Sequence, residues 1–272
     1  MDSTDLKSTY DLDVIHDRWE KVYRSNPIQD RLNARTHDRV LADLHLPPDG
    51  LLLDAGCGVG YHTVAFAQRG ARPTGIDISD GILEQARKNA AASGVADRTT
   101  FQTERLEALS FADASFDGVH CRGVLMHIPR WEAAVSELCR VLKPGGSIAI
   151  MESNVGSVEH FGIQALRSMR PSRSRLVDTV GGLEAWSEED GQPFVVRVAR
   201  IPSLVQQMAA NGVILRKMWA TEFFGIARFP AGVLRNMAIR FNRAYFELEL
   251  PTKASMGVCL IGQKAPTIGN AR

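Results

Sequence analysis

The run Leu51-Leu52-Leu53-Asp54-Ala55-Gly56-Cys57-Gly58-Val59-Gly60 constrains this chain more than any other stretch. Its apolar start reads as a buried strand, and Tyr61 to Gln68 then reads as a helix that stops at Arg69-Gly70. Between them stand an acid and three glycines, so a ligand can meet bare backbone at the end of the strand. A loop of this kind binds a nucleoside-like ligand.

Glycine spacing and charge narrow the ligand. A dinucleotide fingerprint needs its third glycine one place later, where this chain has Tyr61, and it sets a pyrophosphate against the helix N-terminus. A carboxylate at Asp54 repels a pyrophosphate but suits a ligand with an ammonium and a sulfonium. S-adenosylmethionine carries both charges and no phosphate. A second apolar run, residues 73–78, places Asp77 about 20 residues beyond the first glycines, within reach of ribose hydroxyls.

The chain resembles the class I S-adenosylmethionine-dependent methyltransferases. The resemblance rests on Leu53-Asp54-Ala55-Gly56-Cys57-Gly58-Val59-Gly60, Gly75-Ile76-Asp77-Ile78-Ser79, Ser115-Phe116-Asp117 and Leu142-Lys143-Pro144-Gly145-Gly146, in the family's order over residues 51–152. It implies an α/β fold with a doubly wound, Rossmann-like, mostly parallel sheet and one reversed strand near an edge. One methyltransferase domain over 1–272 is expected, with a helical cap (1–45), a cofactor-binding core (46–152) and substrate lid insertions (153–200 and 224–253). The resemblance sets the cofactor on Asp54, Gly56, Cys57, Gly58, Gly60, Asp77, Ile78, Arg105, Leu106 and Cys121, with Tyr10 and Trp19 contributed by the cap. Tyr10 and Trp19 can equally pack on the sheet edge, and Tyr23 reads as packing. Arg105 stands where the family often has an acid for the adenine amine. A guanidinium has no acceptor lone pair, so it can stack on the base or leave it to the Leu106 backbone.

Candidate catalytic groups lie at the ends of later strands. Residues 116–121 read as the fourth strand, so Cys121 and Arg122 are expected at the cleft. His127, between apolar neighbours in Val124-Leu125-Met126-His127-Ile128-Pro129, can serve as a general base or bond backbone and shape the pocket. Glu152 closes the fifth strand, residues 147–151, and can hold an acceptor, act as a base, or stand solvated. His160 is the lid alternative. Residues 153–200 are too long for a plain connection. They contain Arg167, Arg170, Arg173 and Arg175, which fit an anionic acceptor or a solvated surface. One extra strand is expected over 195–201, a helix over 202–210 and a sixth strand over 213–223. A helix over 232–248 is expected to pack near the lid, a membrane-surface helix being the sharper alternative. The last strand is expected over 257–263.

Composition limits the partners. A net charge of +1 over 272 residues gives no global pull toward nucleic acid. No apolar run is long enough to span a membrane, and the amino end lacks a basic, apolar leader, so a cytoplasmic protein without integral membrane association is expected. Cys57, Cys121, Cys139 and Cys259 are scattered, which predicts reduced structural thiols and no metal site. The expected activity is methyl transfer from S-adenosylmethionine to a small-molecule acceptor, an oxygen on a sugar, lipid or secondary metabolite, giving S-adenosylhomocysteine. A monomer and a homodimer stay open. Alternatives are N- or C-methylation, an RNA or protein methyltransferase, a noncatalytic binder of the same cofactor, and a nicotinamide oxidoreductase.

Overall fold

In the computed structural model, residues 27–168, 174–189, 191–226, 229 and 232–266 are described. Tyr10, Trp19, Tyr23, Arg170, Arg173 and the side chain of Arg167 lie outside them. In chain order the elements are α1 (Pro27–Leu44), β1 (Leu51–Ala55), α2 (Tyr61–Ala67), β2 (Arg72–Asp77), α3 (Asp80–Ala92), β3 (Thr100–Thr103), β4 (Phe116–Arg122), α4 (Trp131–Val141), β5 (Leu142–Ser153), α5 (Val158–Ser168), β6 (Arg175–Thr179), β7 (Gly182–Glu189), β8 (Gln192–Ala199), α6 (Ile201–Ala210), β9 (Val213–Glu222), α7 (Val233–Glu247) and β10 (Gly257–Lys264).

Seven strands form the main sheet in the order β3-β2-β1-β4-β5-β10-β9. Strand β1 pairs in parallel with β2 and β4, while β10 runs antiparallel to both β5 and β9. The one reversed strand therefore lies next to an edge, as the resemblance implies. Successive leucines of β1 feed opposite faces. Leu53 joins Ile76, Val119, Ile150 and the inner sides of α4 and α6. Leu52 joins Phe66, Ala149, Met151 and the inner side of α1. Burial on both faces accounts for the near-continuous apolar strands.

Local signals fix the joints. Ser79 caps α3 by accepting the Ile82 N–H, and Gly60 enters α2 with φ 78°. Strand β5 begins at Leu142 rather than at 147, because Lys143 to Gly146 bulge out of the β4 ladder between Leu142 and Ser147.

The stretch 153–200 holds more structure than the single strand expected of it. After α5, strands β6, β7 and β8 form a separate antiparallel sheet. The extra strand ends at Ala199, because Ile201 opens α6 with Pro202 in its first turn, where a missing N–H leaves no bond unmade. Helix α7 buries Ala238, Ile239, Asn242, Tyr245 and Phe246, and Phe246 packs edge-on against Trp219 of β9 at 5.5 Å. It lies over the sheet beside α1.

Candidate active site

Three left-handed glycines shape the loop between β1 and α2, with φ 69° at Gly56, 53° at Gly58 and 78° at Gly60. A Cβ on Gly56 would strike Val124, so the loop touches the segment that follows β4. Nothing lies within 4 Å of a Cβ on Gly58. Bare backbone meets open space there. The Gly58 N–H donates to Asp77 Oδ2 at 3.0 Å, and the Ser79 N–H donates to Oδ1 at 3.2 Å. The acid ending β2 is thus locked to the loop, and half-buried Ile78 follows it.

Asp54 is enclosed at the end of β1. Thr63 Oγ1 donates to its Oδ2 at 2.5 Å, and His120 Nδ1 bonds its Oδ1 at 2.7 Å. Both oxygens are engaged and the side chain is buried. Asp54 faces α2 because its neighbours Leu53 and Ala55 fill the opposite core. Behind it, the His120 ring lies 5.3 Å from His62, and His62 Nδ1 pairs with His37 Nε2 at 2.8 Å. Burial keeps both of these histidines neutral, lowering His37 to about 2 and His62 well below its ordinary value.

Other cofactor candidates divide by burial. The Cys57 N–H donates to Ile76 O at 2.8 Å, and burial pushes its thiol well up. Cys121 is corrected: it is fully buried in the core with Leu53 and Val119 rather than at the cleft wall, and burial raises its thiol too. Arg122, the next residue, is half-buried. The Leu106 side chain sits in the core, which leaves its backbone for a base. Arg105 Nη2 is buried without a hydrogen-bond partner among the described residues. The adjacent acid, Glu104, is occupied by Gln102, by the Ser110 N–H and by the Ser110 hydroxyl.

The catalytic candidates surround the segment after β4. Nδ1 of His127 donates to Val195 O at 2.9 Å, which fixes its tautomer, and its ring tilts against Phe194. Glu152 is 5% exposed, and neither carboxyl oxygen makes a hydrogen bond among the described residues. It faces a small cavity walled by Leu125, Met126, Trp131, Arg197 and Leu204. Burial raises its carboxyl to about 7, opposed by Arg197 and by the nearby backbone of Leu125, Met126 and Val124. His160 is buried in α5, 3.5 Å from the Gln164 amide.

The raised carboxyl has a measurable consequence. A folded-state pKa above the unfolded 4.5 contributes stability that is complete below 4.5 and lost as pH rises through about 7. Glu152→Gln removes that titration. Chemical unfolding at pH 5 and pH 8 is expected to show the variant gaining about 2.5 kcal/mol on the wild type between the two conditions.

One group in this site stands outside the residues expected from sequence. Arg197 of β8 donates Nε and Nη2 to Glu184 Oε1 at 3.0 and 2.7 Å. Its Nη1 donates to Leu125 O and Ile128 O at 2.8 and 3.0 Å, and Nη2 to Pro129 O at 3.3 Å. All five N–H donors are used in a side chain that is buried. Trp186 Nε1 donates to the other Glu184 oxygen at 2.9 Å. The insertion sheet thereby holds the His127 segment by its carbonyls. Among the described residues no cluster of His, Cys, Asp and Glu suits a metal.

A doubly wound sheet with a glycine loop after β1 and an acid closing β2 defines a Rossmann-like nucleoside-binding domain. Residues 53–150 match the family described as "Methyltransferase domain". Over these residues the chain is similar to the methyltransferases of that family. It is 38% identical over 129 residues to an S-adenosyl-L-methionine-dependent Diels-Alderase of Talaromyces variabilis, covering 45% of this chain and 43% of that protein. It is 36% identical over 121 residues to a demethylmenaquinone methyltransferase of Symbiobacterium thermophilum, covering 43% and 48%. The chain therefore spans less than half the length of each of these relatives. The magnesium protoporphyrin IX methyltransferase of Synechocystis PCC 6803, solved with bound SAH, superposes with a TM-score of 0.63 at 19% identity, over 97% of this chain and all of that one. That likeness is one of fold.

Proposed function

We propose that the protein transfers a methyl group from S-adenosylmethionine to a hydroxyl oxygen of a small molecule. The observation that carries this is the open backbone at Gly58 with Asp77 locked beside it. When bound, the cofactor supplies an electrophilic methyl on a sulfonium. Asp77 closes β2 beside the loop, within reach of ribose hydroxyls, and Gly58 offers a surface without a side chain. Arg105 brings donors and no acceptor, so a base amine is left to backbone near Leu106. Quinone and porphyrin methyltransferases among the relatives support a small acceptor.

The residues around the cleft act chiefly by orientation, which can contribute about 7–11 kcal/mol when geometry is ideal. His127 keeps its proton on Nδ1, so Nε2 is the nitrogen able to take the proton of a hydroxyl. Glu152, raised to about 7, is the second candidate for that proton. Arginines near 167–175, of which Arg175 is exposed at the start of β6, would favour an anionic acceptor.

Incubation with methyl-labelled S-adenosylmethionine and fractionated extract tests the assignment. Label in the small-molecule fraction, on oxygen by mass spectrometry, is the expected result, whereas label in RNA or protein would replace the acceptor class. A second reading, a binder that does not transfer the methyl, is favoured by the enclosed carboxyl of Glu152; cofactor binding with no label in any fraction would support it. Gly58→Val is expected to raise the cofactor Kd at least about tenfold by filling the open space, which calorimetry measures.

A further inference from the structure

One face of α7 is uncovered among the described residues. Val233, Leu234, Met237 and Phe241 are 76, 62, 61 and 46% exposed, and at helical spacing they fall within an arc of about 100°. The helix is held by its other side, through Ala238, Ile239, Asn242, Tyr245 and Phe246. Single exposed apolar side chains are ordinary on a protein surface, but a contiguous row of large ones is not. Phe241 is seated against Phe223 and Phe224 at 5.3 and 5.4 Å, so the row has a firm base.

Arginines border this row. Arg240 and Arg243 follow it around the helix, and Arg31 of α1 joins them about a surface pocket whose one acidic lining residue is Glu247. Glu247 is already matched, by Arg243 at 2.8 Å and by Arg35 at 2.6 Å. The pocket thus has excess positive charge in a chain whose formal net charge is +1. The face also has a definite place in the fold. Asn242 Oδ1 accepts the N–H groups of Phe223 and Phe224 at 3.0 and 2.9 Å. Those residues follow β9 at the same end of the sheet where β5 presents Glu152.

We propose that this face of α7 docks on an anionic lipid bilayer. The apolar row enters the boundary of the acyl chains, and Arg31, Arg240 and Arg243 take lipid phosphates. Two features favour a bilayer over a second copy of the chain. A symmetric dimer through this face gives the arginines no anionic partner, Glu247 being already matched, whereas a bilayer supplies an apolar interior and an anionic rim in the order the helix presents them. Docking is peripheral, since no helix among the described residues is long and apolar enough to cross a membrane. If the methyl-transfer reading holds, docking places the cleft end of the sheet against a membrane-resident acceptor. The surface itself does not depend on that reading.

Flotation of the full chain with vesicles tests the proposal without any turnover. The protein is expected to float with phosphatidylcholine–phosphatidylglycerol vesicles, about 100-fold less with phosphatidylcholine alone, where all three arginines lose their partners, and to be released by high salt. Leu234→Glu with Met237→Glu is expected to abolish flotation. Arg31→Ala with Arg240→Ala is expected to weaken it about 25-fold, fivefold per arginine. All four side chains are exposed, so melting temperatures are expected to hold and lost flotation reports the surface. Absence of flotation with anionic vesicles would overturn the proposal, as would flotation that neither pair of substitutions reduces. A dimer that Leu234→Glu with Met237→Glu dissolves, without vesicle binding, would assign the face to a second copy instead.

Discussion

Arg197→Met is expected to destabilise the protein by about 3–5 kcal/mol, the range for removing one partner of a buried charge pair. The size follows from what the substitution leaves behind. Glu184 keeps one bond, from Trp186 Nε1, but loses both from the guanidinium. The carbonyls of Leu125, Ile128 and Pro129 lose donors at the same time, and each buried acceptor left unpaired is costly. Replacing both charges, as Glu184→Leu with Arg197→Met, is expected to recover much of the loss, because an apolar pair avoids the stranded carboxylate. Leu125 O keeps the Ile128 N–H, but the Ile128 and Pro129 carbonyls lose their guanidinium donors in both variants. Amide exchange at His127 and Ile128, whose N–H groups bond Val124 O and Leu125 O, is therefore expected to accelerate in both. A loss below about 1 kcal/mol in the single variant would mean that the pair is solvated rather than sealed.

The cofactor half of the fold was legible because its signals are local. Leucines, glycines and acids within ten positions of one another specify the β1 strand, its loop and the start of α2, and the same holds for β2 with Asp77 and Ser79. The environment of Asp54 was not legible. Its partners Thr63 and His120 stand 9 and 66 positions away, and only the packed sheet brings His120 alongside. Cys121 was assigned to the cleft from its place at a strand end, but alternation along β4 turns it into the core with Val119.

The insertion carries a hairpin signal of its own. Asp190-Gly191 is a two-residue hairpin dipeptide shortly before the strand-forming run Phe194-Val195-Val196, and β7 and β8 pair in register from Gly182↔Ala199 to Glu189↔Gln192. Arg197 announces itself as well. It is a lone charge in Val195-Val196-Arg197-Val198-Ala199, and a charge in a buried strand requires a partner. Which partner it takes depends on how the small sheet lies against the segment after β4, and no spacing in the sequence encodes that.

Acid is expected to destabilise the Glu152→Gln protein through its buried histidines, by about 4 kcal/mol between pH 8 and pH 5. His37 and His62 are neutral in the fold because burial disfavours their charged forms, while in the unfolded chain each takes up a proton near 6.5. A depressed folded-state pKa gives stability that is present above 6.5 and lost as pH falls. Two such groups give a slope of about 2.7 kcal/mol per pH unit once the unfolded rings are charged. Glu152 works in the opposite sense over 4.5 to 7, since its folded form holds a proton that the unfolded form releases. The histidine slope is therefore measured in the Glu152→Gln protein, by chemical unfolding at half-unit steps. Adding His37→Gln and His62→Gln is expected to flatten it. A slope at or below about 1.4 kcal/mol per unit in the parent would mean that only one ring is held neutral. The same pair links α1 to α2 beneath Asp54, and because both rings stay neutral in the fold, cofactor affinity of the folded protein is expected to hold from pH 8 to pH 5 while stability falls.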